Sequence, residues 1–434
     1  MSRTCVSIGV TALSLAGVAG LLLAAAAPPA AAQDAAAVAA GGSGAQGDQP
    51  ECMGDAEVPN PAVNCPDRFA WQVFVEVNAP AGNGTGQTVW QTWSTDDETF
   101  PCPPTPSECG GTGPPPRGCP VFPGESRTPA AAAGHQRSAR AQQIDLQTPA
   151  PAPAAAEPPA GPPQTLEIVH RNRPTFDYIV ANDLWYVEGL EKAFEDGFVF
   201  DFPTDAIEFK SNWRLLAEGD DPARYHTMVQ DGSTYLLVAF HVSTKDLPNW
   251  FWSTFEHVDN PGRCDFIGCH DSFGVVPHDV PPHPKALNQQ YPPGELTAPV
   301  QRWLAKLAPA FQNYRLKGSQ TDYTTPTGLP TLLGNSVTEA GFVQTASCIT
   351  CHGRATIGAS GTSPYPTVAG LTPDFQSFNG PPRTEWYYSN ERPLHRWSVQ
   401  TDFVWAIPFK ANSIDATETC CAQRETGGPP ACQD

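Results

Sequence analysis

The hydrophobic and polar positions of this chain follow two periods. Residues 176–195 (FDYIVANDLWYVEGLEKAFE) place apolar side chains three and four apart, the pattern of an amphipathic helix, and Gly197 follows as its stop. Residues 197–202, 206–217, 233–244 and 250–258 are instead short runs rich in β-branched and aromatic residues. Polar turns such as Glu218-Gly219-Asp220-Asp221 separate them, which predicts strands of an antiparallel sheet. Helical spacing returns over 297–314, with Thr297 as N-cap and Pro299 in the first turn, and again over 338–355. Residues 69–77 (FAWQVFVEV) carry both signals: Phe69, Val73 and Glu76 fit a helix, and the β-branched content fits a strand. The fold class this predicts is α+β, an antiparallel sheet with packed helices and disulfide-pinned loops.

Composition changes the domain picture. Many of the 48 Pro and 37 Gly fall in segments with nothing to bury. Residues 33–50 read as a flexible leader, and 126–164, rich in Pro and Ala and containing His135, as a disordered insertion or linker. The folded chain is then expected in two stretches. Residues 51–125 form the N-terminal part of the body, with a Cys/Pro-rich loop over 101–125, and 165–434 form the main domain. Residues 1–32 read as a secretory signal: Arg3, an apolar run from Val6 to Ala27, then Ala30-Ala31-Ala32 before Gln33. A retained anchor is the alternative, but Pro28-Pro29 and the small residues of the run favour cleavage. No later stretch approaches the roughly 20 apolar residues of a membrane span, so the expected location is periplasmic or secreted.

Charge and cysteines narrow the function. A net charge of −20 without a basic stripe argues against nucleic acid. An acidic surface suits a basic redox partner protein as well as plain solvation. Apart from Cys5 there are twelve cysteines: Cys52, Cys65, Cys102, Cys109, Cys119, Cys264, Cys269, Cys348, Cys351, Cys420, Cys421 and Cys432. In an exported chain they read as disulfides. The exception is Cys348-Ile349-Thr350-Cys351-His352. Thiols at i and i+3 on a helix reach the two vinyl groups on one porphyrin edge, and the next residue projects toward the iron. The motif therefore predicts one covalent haem c, attached at Cys348 and Cys351, with His352 as proximal iron ligand on a helix near the C-terminus. A redox or metal-binding C-x-x-C is the alternative, but no thioredoxin-like βαβ context surrounds it.

The sixth iron position is less defined. The three methionines are Met1, Met53 and Met228, so none follows His352. Candidates are His257 and His241 on aromatic-rich strands, Met228 from upstream, another weak ligand, or an open site. His278 and His283 lie in Pro-rich loops, and His395 comes late. Glu256 is no partner for His257 on a strand, because adjacent side chains point to opposite faces. Trp386-Tyr387-Tyr388 and residues 403–409 (FVWAIPF) offer an apolar wall for a haem, or ordinary core. Cys264, Cys269 and His270 form a C-x4-C-H. With Gly262 and Gly268 it reads as a loop closed by a Cys264–Cys269 disulfide in preference to a second haem site.

These segments resemble a group of large, exported bacterial monohaem c-type proteins of uncharacterised function. The resemblance rests on FAWQVFVEVNAP with VWQTW, AIEFKSNWRLL, LVAFHVSTKDLPNWFWSTFEHVDN, SCITCHGRA and TDFVWAIPFKA. It implies one covalent haem and a periplasmic location, and no settled substrate. Three functions follow as expectations: periplasmic electron transfer first; a haem enzyme or sensor of peroxide, oxygen or nitrogen oxides with an open distal site second; a subunit of a periplasmic redox complex third.

Overall fold

The structure is a computed structural model and describes residues 50–54, 57–101, 118–125, 163–283, 285–365, 377–389 and 395–414. The proposed signal and leader, nearly all of the Pro/Ala-rich insertion, Cys102, Cys109, Cys420, Cys421 and Cys432 lie outside these residues.

A seven-stranded antiparallel sheet organises the body. Its strands are β1 (Ser94–Thr95), β2 (Thr165–Arg171), β3 (Ile207–Leu215), β4 (Thr227–Gln230), β5 (Ser233–Thr244), β6 (Phe251–His257) and β7 (Tyr314–Gln320). The spatial order is β1-β2-β3-β5-β6-β7, with β4 paired to the first residues of β5. Ser94 and Thr95 pair with Arg171 and His170, so chain from either side of the 126–164 segment joins one sheet.

Period-two alternation gives this sheet unlike faces. One face presents Ile168, Phe209, Phe240, Val242, Phe251 and Phe255 to an apolar core. Helix α1 (Pro66–Val77) lies across that face and buries Trp71, Phe74 and Val77 completely. Full burial of such side chains is worth about 1.5–3 kcal/mol each. This settles the mixed signal at 69–77 as helix: the stripe Ala70, Trp71, Val73, Phe74 and Val77 meets the sheet at helical spacing, and packing overrides β-branched propensity. The other face carries Glu167, Glu208, Lys210, His241 and Trp252.

Several expected elements are corrected. The single helix over 176–195 is two, α2 (Arg173–Ala181) and α3 (Val187–Asp196). Asp183 breaks it with φ 57, so that Leu184 and Trp185 enter a second core. Gly189 permits the break: a Cβ there would lie 1.9 Å from the Asp183 carbonyl oxygen. Gly197 does terminate α3, in the left-handed region at φ 68. Residues 197–202 pair with no strand and pack Phe200 and Phe202 into that second core. The helix over 297–314 is only α4 (Ala298–Leu304), followed by a 3-10 turn Pro309–Asn313 and then β7. Thr297 sits at the N-cap, but its hydroxyl donates to the Phe273 carbonyl (2.9 Å) instead of capping. The helix over 338–355 shrinks to α5 (Cys348–Gly353).

Cys52–Cys65 and Cys264–Cys269 are disulfides, with Cα atoms 5.6 and 5.0 Å apart, and Cys119 is also disulfide-bonded. They are consistent with a non-cytoplasmic protein. Among the described residues no helix is long and apolar enough to cross a membrane. Closing so short a loop contributes about 2 kcal/mol in the chain-entropy picture. A Cys264→Ala, Cys269→Ala chain is therefore expected to lose about that much in denaturant unfolding. A variant as stable as the parent would refute that contribution.

Burial also makes stability depend on pH. His226 stacks on Phe311 at 5.0 Å and its Nε2 has no hydrogen-bond partner, so desolvation pushes its pKa down to about 4. An unfolded chain takes up this proton below about 6.5 and the folded chain does not, so this group's contribution is complete above 6.5 and is lost as pH falls toward 4. His226→Phe is accordingly expected to lose about 2 kcal/mol less than the parent between pH 7 and pH 5. Equal losses in the two chains would sink this assignment.

Candidate functional site

Helix α5 is short, and its end groups are satisfied from outside. The Ile349 amide donates to Oε1 of Gln320 (3.0 Å) at the end of β7, and Gln320 Nε2 donates to the Ser347 hydroxyl (3.0 Å). At the other end, the Cys351 carbonyl accepts from Trp405 Nε1 (3.1 Å), and the Gly353 carbonyl from the Tyr387 hydroxyl (2.7 Å). A six-residue helix would fray in water; here side chains supply the bonds its termini lack. Ile349 plugs it into the second core beside Leu333, Phe403, Val404 and Ile407. Behind it the Arg354 guanidinium lies over three rings, Tyr365, Phe378 and Trp386, at 4.2, 4.1 and 4.7 Å.

Helix α5 faces the polar side of the sheet across a cavity of about 310 Å³. Cys348, Cys351 and His352 line it together, and His241 lines the same space. The two thiols are not joined in a disulfide. Cys348 Sγ donates to the Leu333 carbonyl (3.4 Å). Burial pushes both thiols up, with Glu339 adding to it, Cys351 to about 12, so both are protonated at neutral pH.

His352 has a defined tautomer. Its Nδ1 lies 2.7 Å from the Phe403 carbonyl oxygen, which can only accept, so Nδ1 carries the proton and Nε2 the lone pair. Burial holds its pKa down at about 4. The Trp252 ring lies 4.5 Å away, tilted 46°. Phe403 and its neighbour Asp402 adopt φ 70 and φ 47, and this left-handed pair turns the carbonyl toward His352.

The opposite wall is charged. Lys210 Nζ pairs with Glu167 (3.0 Å). Arg171 joins Asp96 (2.7 Å) and Glu208 (3.3 Å), and Lys410 reaches Asp96 (3.2 Å). Burial alone would push Asp96 up, but Lys410 and Arg171 outweigh it and hold the carboxyl at about 2. Burial pushes Glu208 up despite Arg171. His241 Nε2 lies 3.1 Å from Asn335 Nδ2 and 3.4 Å from Glu339 Oε1.

The sequence candidates separate cleanly. His241 shares the cavity with His352. His257 does not line it: it is buried elsewhere, stacked on Tyr225 at 3.8 Å, with Nε2 at the Arg224 carbonyl (3.1 Å). Glu256 reaches Ser336 and Asn260 instead, as opposite faces require. Met228 packs against the apolar core. His270 sits between Asp279 and Asp67, beside the Cys264–Cys269 bridge. His278 bonds the Asp271 carbonyl. Of the aromatic tail, Trp405 and Phe409 line the cavity. Sequence reasoning missed Asn335, Glu339 and Lys210. The alternation Glu208-Lys210-Asn212 on one strand was the available signal, since a buried sheet face rarely carries three polar residues in a row.

No family model, curated protein or solved structure matches this chain. The chemistry of the site rests on its own geometry. Among the described residues no three His, Cys, Asp or Glu side chains gather as a metal cluster. Haem iron asks for no such cluster, because the porphyrin supplies four ligands and the protein only axial ones.

Proposed function

We propose that this chain is an exported c-type haem protein, with one haem joined to Cys348 and Cys351 and held by His352, serving periplasmic electron transfer to a redox partner protein. The observation that carries this reading is the His352 tautomer: Nδ1–H is engaged by the Phe403 carbonyl, which leaves a ligand-competent Nε2 in a cavity that both thiols line. These residues fit the group, which when bound supplies a one-electron couple. The Phe403 carbonyl orients the imidazole and raises its basicity. Trp252, Leu333, Phe342, Trp405 and Phe409 keep water from the site. The resemblance to large exported monohaem proteins supports the same reading.

The charged wall favours a second reading, a haem enzyme or small-ligand sensor. An electron carrier needs insulation and a docking edge, whereas Lys210, His241 and Glu339 equip the cavity to bind and protonate. The test is expression of the full chain with haem attachment in an oxidising compartment. The denatured mature protein is expected to weigh one haem more than its polypeptide; the bare mass, or two haems, refutes the proposal. Ready binding of carbon monoxide by the ferrous protein would favour the second reading over the first.

A further inference from the structure

Asp96, Glu167 and Glu208 on the cavity wall each have a lysine or arginine beside them, and Glu339 does not. Arg171 and Lys410 hold Asp96, Arg171 holds Glu208, and Lys210 holds Glu167. Among the described residues the Glu339 carboxylate meets two polar groups. The Asn335 amide donates to Oε2 (2.6 Å), and His241 Nε2 lies 3.4 Å from Oε1. Neither is a permanent cation. Burial pushes the carboxyl up, but His241, the Asn335 amide and Lys210 outweigh it, so Glu339 is ionised at neutral pH. The side chain is 14 % exposed and fits closely, because a Cβ at Gly334 would lie 3.1 Å from its Cγ. It lines the same cavity as Cys348, Cys351 and His352. Its charge crosses that space, since it adds to burial in pushing the Cys348 thiol up.

We propose that Glu339 holds the reduction potential of the haem site low by fixing an uncompensated negative charge in its cavity, which biases the chain toward giving electrons away. The inference rests on the haem reading. Oxidation of the reduced site passes one electron to the redox partner protein and leaves one more positive charge at the metal. A carboxylate facing that charge stabilises the oxidised form more than the reduced one. At an effective dielectric of about 20 the attraction persists across a cavity of this kind. The paired carboxylates of the wall contribute less, because each is offset by the cation beside it. Asn335 is the positioning residue, since its amide sets the direction of Oε2.

The measurement is the midpoint potential of the haem-loaded full chain, by spectroelectrochemistry at about pH 8, above the ordinary titration range of imidazole. Glu339→Gln keeps an oxygen for the Asn335 amide. It is expected to raise the potential by about 59 mV, a tenfold change in a one-electron equilibrium. Lys210→Met is expected to lower the potential, because Glu167 then loses its cation. Shifts of opposite sign are not what loosened packing alone would produce. The Soret and EPR spectra of the ferric variants should match the parent, as unchanged iron ligands require. Thr338→Lys leaves Glu339 in place and adds a cation to the same wall, so it should also raise the potential. It decides the matter where Glu339→Gln does not fold. A potential equal to or below the parent's, in whichever of these two chains folds, overturns the proposal. A denatured mass without haem overturns the haem reading and this one together, whereas haem present with equal potentials overturns this one alone.

Discussion

A chain carrying Cys348→Ser and Cys351→Ser is expected to fold and to hold no haem once denatured. Thioether attachment needs sulfur nucleophiles, and a serine hydroxyl cannot replace one. The fold depends little on the two thiols. Serine at 348 keeps a donor for the Leu333 carbonyl, and Ile349 still seats α5 in its core. The disulfides Cys52–Cys65 and Cys264–Cys269 are untouched. The measurement is haem absorbance of the acid-denatured, solvent-extracted protein, with circular dichroism as the check on folding. The parent should retain its haem through extraction and the double variant should retain none. A variant that still carried extraction-resistant haem would move the attachment elsewhere, with Cys264 and Cys269 the first place to look.

The second large effect lies behind the site. Lys245 Nζ is 2.7 Å from Asp402 Oδ1 and 3.1 Å from the Pro248 carbonyl, and both charged side chains are 6 % exposed. The other Asp402 oxygen accepts from the Phe202 amide (2.8 Å). This clamp holds the left-handed Asp402–Phe403 pair, a conformation that costs about 1–3 kcal/mol per residue and persists only where its surroundings enforce it. Burial pushes the Asp402 carboxyl up even with Lys245 beside it. Lys245→Met would leave that carboxylate buried and unpaired, at a cost of about 3–5 kcal/mol near pH 7. A carboxyl whose folded pKa lies above its unfolded value binds more protons when folded, so its presence weakens the fold as pH rises. Lys245→Met should therefore be more damaging at pH 8 than at pH 5, and adding Asp402→Asn should recover part of the loss. Denaturant unfolding measures both. A single variant within about 0.5 kcal/mol of the parent would show that the clamp carries no such weight. In a haem-loaded chain the same substitution loosens the carbonyl that orients His352.

The elements that sequence reasoning located best are those with a local cause. Ser233–Thr244 is a strand with the bounds its run of β-branched and aromatic residues predicts. Gly197 ends a helix, because an αL position after the last turn suits glycine. The C-x4-C-H segment closes as a disulfide loop at Gly262 and Gly268, and at the latter a Cβ would lie 2.3 Å from the Val280 carbonyl oxygen. Where the helical pattern misled, tertiary packing was the competitor. Residues 176–195 break because Leu184 and Trp185 are worth more buried than continued as helix, and 338–355 yields most of its length to turns whose amides bond carbonyls a few residues back, as Phe342 does to Glu339 and Thr345 to Phe342.

By itself the sequence determined that Cys348, Cys351 and His352 stand together on one helical turn, because i, i+3 and i+4 are neighbours on any helix. It also determined that Glu256 and His257 face apart, because β alternation is local. What faces His352 was decided only by tertiary structure. His241 and His257 have the same chemistry and similar strand contexts, and strand register sets one on the cavity face and the other against Tyr225. The proton on His352 depends on a carbonyl 51 residues away. A backbone carbonyl leaves no mark on residue identity, so the protonation of this ring could come only from the packed chain.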